Sequence, residues 1–87
     1  MEFEIGKIIN YDNEIGEILT TNGLKCIFLK KDLKDDYENL KDEVLIFRIE
    51  ESSRQKRAFY IRKLKNVIKD KKIRNEILAR VNLTLNN

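Results

Sequence analysis

The sequence predicts a mainly β fold, a small five-stranded antiparallel barrel followed by one amphipathic α-helix. Three observations lead there. Apolar and polar residues alternate in five short runs over the first two thirds of the chain, the period of half-buried strands. Turn-forming residues separate the runs. After Asn66 the apolar spacing lengthens to four residues, which suits a helix face and not a strand.

Phe3, Ile5, Ile8 and Tyr11 predict a first strand, ended by the turn-prone Asp12 and Asn13, and a second strand runs from about Ile15 to Thr20. "TNG" at Thr21 to Gly23 is a hairpin signal, because Asn and Gly accept positive φ. The third strand is "LKCIFLK". Alternation across this hairpin places Ile18, Ile27 and Leu29 inside, and Ile15, Glu17, Leu19, Phe28 and Lys30 outside. "KDLKDDYENLKD" is too charged for a sheet interior, so Lys31 to Asp42 is expected as a connection with one helical turn, pinned by Leu33 and Leu40. In "EVLIFRIE" the fourth strand has Leu45, Phe47 and Ile49 on one face and Val44, Ile46 and Arg48 on the other. A polar break, "ESSRQK", precedes a fifth strand in "RAFYIRKL", from about Lys56 to Leu64. Ile73, Ile77 and Val81, with Leu78 beside them, then mark a helix capped by Asp70 and running to about Asn82, basic on its outer side. Residues 1–65 are thus the barrel and 66–87 a helical extension of the same unit.

Composition removes several classes of function. With 41% hydrophobic residues the 87-residue chain supports one small core. No run approaches the roughly 18 apolar residues of a membrane span, and "MEFEIGK" is unlike a basic signal peptide, so a soluble cytoplasmic chain is expected, with no membrane contact. Cys26 lies in an apolar run and reads as a small buried hydrophobe. The chain has no histidine, no Gly-rich phosphate loop and no activated serine pattern, so no catalytic residue and no cofactor is expected. The carboxylates of "DLKDDYE" lack the spacing of a calcium loop, and no metal site is expected. Charge divides the chain: residues 1–53 carry seven Lys and Arg against thirteen Asp and Glu, while residues 54–87 carry eleven against two. Such a basic segment supplies phosphate attraction or faces an acidic partner.

Five segments in order, "GKIINYD", "IGEILTTNG", "IFLKKDL", "LKDEVLIFRIE" and "RAFYIRKL", resemble the cold-shock domain family over about residues 5–64. The first looks like the family's opening Gly-Lys-Val-Lys-Trp-Phe-Asn strand and the second like its first RNA-binding motif with the hairpin. The third is similar to the second motif, Val-Phe-Val-His followed by a Ser-rich turn. The last two resemble the fourth strand and the Ala-x-Asn-Val closing strand. The resemblance implies an OB-type barrel and base stacking on outward aromatics at about 1–3 kcal/mol per base. Carried over residue by residue, the stacking positions become Asn10, Tyr11, Ile15, Glu17, Phe28 and Lys30, of which two are aromatic. Lys30 stands where the family has its histidine and Asn13 where it has lysine. A carboxylate at Glu17 repels phosphate and offers no ring.

Two functions are therefore expected from different classes. The first is a non-enzymatic module that binds single-stranded RNA or DNA with low sequence specificity through a basic fifth strand and helix: Tyr11 and Phe28 stack, Lys30 and Arg48 meet phosphate, and Lys7, Arg57, Arg62, Lys63 and Lys65 extend the basic track. The alternative is a protein-interaction or dimerisation module that has lost nucleic-acid binding. Glu14 and Glu17, beside apolar Ile15, Leu19, Phe28 and Ile46, suggest an outer face covered by the Ile73/Ile77/Val81 stripe of the same chain, of a second copy in a homodimer, or by a protein partner. Lysine and arginine on strands are also ordinary solubilising residues, and the run Lys69 to Arg74 is an ordinary solvated helix start.

Overall fold

The computed structural model describes residues 3–51 and 55–85, with side chains through Val81. Its strands are β1 (Phe3–Tyr11), β2 (Ile15–Thr20), β3 (Lys25–Leu29), β4 (Leu45–Glu51) and β5 (Lys56–Lys63). A 3₁₀ turn at Lys30–Asp32 and the helices α1 (Tyr37–Leu40), α2 (Leu64–Val67) and α3 (Lys71–Leu85) complete the fold. The centre of the expected polar break, 52–54, lies outside the described residues. The strands form a closed barrel in the order β1-β2-β3-β5-β4. Closure makes the sheet mixed, which corrects the expectation of a wholly antiparallel barrel. β1–β2, β2–β3, β1–β4 and β4–β5 are antiparallel, but β3 and β5 meet in parallel at Ile27 and Arg57. The long connection after β3 sends the chain to the far edge of β1, so that β5 reaches the open edge of β3 running in the same direction.

Turn chemistry fixes the registers. Asp12 Oδ1 accepts the backbone N–H groups of Glu14 and Ile15 at 2.9 and 2.8 Å, and Asn13 between them takes φ of 77°, a conformation asparagine tolerates. In the next hairpin Gly23 takes φ of 84°. Thr20 N–H donates to Leu24 O at 2.9 Å and Gly23 N–H to Thr20 O at 3.0 Å. That closes the loop over residues 21–23 and sets Gly16 opposite Phe28 and Ile18 opposite Cys26. Paired residues of an antiparallel ladder share a face, so Cys26 and Phe28 turn inward with Ile18, and all three are fully buried. This reverses the expected phase of β3: Ile27 and Leu29 lie outward and half-buried. Gly16 is the accommodating position, since a Cβ there would lie 2.3 Å from Phe28 Cζ.

The core consists of Ile18, Cys26, Phe28, Leu40, Leu45, Phe47, Ala58 and Ile61, with Ile8, Tyr11, Leu33 and Ile49 packed against it. Each large side chain so buried contributes about 1.5–3 kcal/mol. Burial also pushes the Cys26 thiol above its ordinary range. Leu33 and Leu40 anchor the long connection as the sequence predicts, and β4 buries Leu45 and Phe47 in the expected phase. Asp70 caps α3 by accepting the N–H groups of Lys72 and Ile73 at 2.9 and 3.1 Å. The helix packs on β1 of its own barrel, but Ile15 of the expected outer face stays 50% exposed and Phe28 turns inward. The buried side is rotated from the expected stripe: Val81 is fully buried and Arg74, Ile77 and Leu78 half-buried, while Ile73 stays 49% exposed. Among the described residues no helix is long and apolar enough to cross a membrane.

Candidate functional site

Two β-bulges decide which aromatic rings face outward. An extra residue in one strand reverses the in–out phase of everything beyond it. In β1, Ile8 pairs with Ile18 and Asn10 with Glu17, so Ile9 is the extra residue. Beyond it Tyr11 pairs with inward Gly16 and turns toward the barrel interior. In β5, Arg48 of β4 faces Phe59 while Ile46 faces Arg62, so β5 carries one residue more than its partner. Tyr60, with φ of 55°, is that residue. The bulge leaves Ala58 and Ile61 buried in the core and turns both Tyr60 and Arg62 outward.

Tyr60 is 43% exposed and is the centre of a basic cluster. The Arg62 guanidinium lies 4.5 Å from its ring centroid, Lys34 Nζ 5.4 Å and the Arg48 guanidinium 5.9 Å. Arg48 also lies 5.0 Å from the ring of Phe3, which is 50% exposed on β1. Two exposed rings thus share one guanidinium. Arg62 Nε is buried with no hydrogen-bond acceptor, and neither Arg62 nor Lys34 has a carboxylate within ion-pairing distance among the described residues. Cations held over aromatic faces without carboxylate neutralisation remain available to an anionic ligand. Lys34 reaches this face because its own N–H donates to Ile61 O at 3.0 Å, beside the bridge between Leu33 and Ile61.

Of the residues the sequence nominates, Arg48 and Arg62 meet on this face. The others are dispersed. Phe28 is fully buried, so it is not a stacking platform. Arg57 donates through Nη2 and Nε to Asp32 Oδ1 and Oδ2 at 2.7 and 3.1 Å, and Asp32 Oδ2 also accepts the Leu29 N–H at 2.8 Å. Asp32 is 5% exposed. The pair is a structural clasp between the end of β3 and the start of β5, and hydrogen bonding to Asp32 raises the Arg57 pKa further. Lys63 sits where its charge helps lower the Asp35 pKa, behind hydrogen bonds from Asn39 and Asp36. Lys7 lies on β1 opposite Leu19. Tyr11 and Lys30 line the barrel mouth together with Asp35, Asp36 and Tyr37. Two further cations of the basic segment are also paired, Lys56 with Glu51 at 3.2 Å and Lys65 with Glu43 at 2.6 Å.

Sequence reasoning missed Phe3, Lys34 and Tyr60. A signal existed for Tyr60: in "AFYIR" strict alternation would bury Tyr60 and expose Ile61. A bulge at Tyr60 resolves the conflict in favour of the isoleucine. Among the described residues no three His, Cys, Asp or Glu side chains converge as a metal-binding group. No protein-family model, no curated protein and no solved structure matches the chain.

Proposed function

We propose that this chain is an OB-type barrel that binds single-stranded RNA or DNA with low sequence specificity on the outer face of β4 and β5. The strand order β1-β2-β3-β5-β4, with its parallel β3–β5 closure, supports the OB-type reading. One observation carries the functional reading: Tyr60, an exposed ring in a costly left-handed conformation, is ringed by Arg62, Lys34 and Arg48. Backbone strain at a bulky residue costs about 1–3 kcal/mol and persists where the surrounding structure enforces it, often at ligand sites. A base stacks on Tyr60 or Phe3 while the guanidinium and ammonium groups meet the flanking phosphates. The contacts are to ring faces and backbone charge, which every base and both sugars provide.

Anisotropy titration of labelled single-stranded RNA and DNA octamers at two salt concentrations tests the proposal. Affinity of about micromolar order that falls steeply with salt is the expected result. Absence of binding at low salt overturns it and leaves the interaction module, for which Ile9 and Ile15, 45% and 50% exposed, provide the uncovered apolar positions.

A further inference from the structure

A depression of about 450 Å³ opens at the barrel mouth, between the β1–β2 turn and the connection after β3. One wall is aromatic: Tyr37 lies 4.6 Å from Tyr11, which in turn stacks on buried Phe28 at 5.6 Å. The rim carries both signs of charge. Asp35 Oδ1 is occupied, accepting from Asn39 Nδ2 at 2.9 Å and from Asp36 N–H at 2.8 Å. The Asp36 carboxylate makes no capping bond to α1, and neither it nor the Lys30 ammonium belongs to an ion pair among the described residues. An unpaired carboxylate repels a phosphate but accepts from the donor edge of a base. An unpaired ammonium beside it takes the phosphate the carboxylate refuses.

We propose that this depression is a base pocket that selects guanine from a bound strand. The ring lies against Tyr11 and Tyr37, guanine N1–H and N2–H donate to Asp36, and Lys30 Nζ meets the adjoining phosphate. Adenine and cytosine each offer that carboxylate one exocyclic amine, and uracil offers one N–H flanked by two carbonyl oxygens. Guanine therefore presents the one edge with two adjacent donors. The pocket abuts the Tyr60 face through consecutive residues: Lys34 reaches the Tyr60 ring at 5.4 Å, and Asp35 and Asp36 follow it in the chain. A strand crossing Tyr60 and Lys34 thus arrives at the mouth. The inference rests on the nucleic-acid reading above and adds specificity to it.

The test is an anisotropy series with an all-uridine octamer and the same octamer carrying one central guanosine, inosine or adenosine, run on the full chain and on Asp36→Asn. Guanosine should bind roughly tenfold tighter than adenosine, the scale of a bidentate base contact. Inosine, which lacks the N2 amine, should fall between them. Asp36 is exposed, so Asp36→Asn should keep the wild-type urea midpoint and the all-uridine affinity while losing the guanosine preference. Equal affinity for all four octamers overturns the pocket and leaves the nucleic-acid reading standing. A guanosine preference that survives Asp36→Asn also overturns this assignment, and absence of binding by every octamer overturns both readings.

Discussion

Arg57 and Arg62 stand near opposite ends of β5, both drawn from the basic half of the chain, and they do different work. Arg57 is forked onto a carboxylate that is itself buried and also holds a backbone N–H of β3. Arg62 lies over an exposed ring, with no carboxylate in ion-pairing distance among the described residues. The neighbour decides the role. A cation beside a buried acid is part of the scaffold, because removing it leaves the acid's charge uncompensated in a poorly solvated place. A cation over an exposed aromatic is part of a surface that can accept an anion. Counting charges along the strand treats the two alike.

The contrast breaks most visibly at Asp32. Asp32→Ala should destabilise the fold by about 3 kcal/mol, the low end for breaking a buried pair, because the Arg57 side chain remains 32% exposed and can rehydrate. An unfolding free energy, from urea titration, that falls by less than about 1 kcal/mol would make the clasp an ordinary surface ion pair. Tyr60→Ala should leave stability nearly untouched and weaken binding of a single-stranded octamer by about 1–3 kcal/mol. An unchanged affinity would remove the ring from the interface.

The sharper comparison pairs the two arginines themselves. Arg62→Ala should reduce the slope of log affinity against log salt by about 0.7, the loss of one phosphate contact on a single strand. Arg57→Ala should lower the urea midpoint and leave that slope unchanged. Equal slope changes in both variants would erase the distinction between scaffold and surface. The smallest expected effect lies in the backbone: Tyr60→Gly should be more stable than Tyr60→Ala by about 1 kcal/mol, since glycine occupies φ of 55° without the Cβ penalty. Equal thermal midpoints would mean that the bulge relaxes in the alanine variant.

Much of the fold was legible because period and turn chemistry are local. The limits of β2, the helical turn pinned by Leu40, the inward phase of Leu45 and Phe47, and the Asp70 cap follow from a few adjacent residues each. What was not legible depends on counting across partners. Whether Phe28 faces in or out turns on the loop at 21–23, where a single residue more or less reverses β3. Tyr11 and Tyr60 each lie at or beyond a bulge that alternation cannot announce. The candidate site suffered most, since its rings were assigned by phase. Arg48 and Arg62 were found by charge, but Phe3 and Lys34 join them only through closure, which sets β1 beside β4 and lays the connection after β3 along β5.

The parallel meeting of β3 and β5 bears on the order in which the barrel assembles. Its ladder contains one partnered pair, Ile27 with Arg57, extended by the bridge between Leu33 and Ile61, whereas the antiparallel ladders on either side are longer. The antiparallel sheet from β3 through β2, β1 and β4 to β5 can therefore form as one curled ribbon before its ends join, with the loop-closure entropy of the joining step met last. In the native ensemble the same seam has the shortest ladder, and the Arg57–Asp32 clasp is what holds it, so it parts where that clasp releases. Amide protons there should exchange ahead of those in β2 and β4, so that the molecule breathes as a clasped bracelet does, at the clasp.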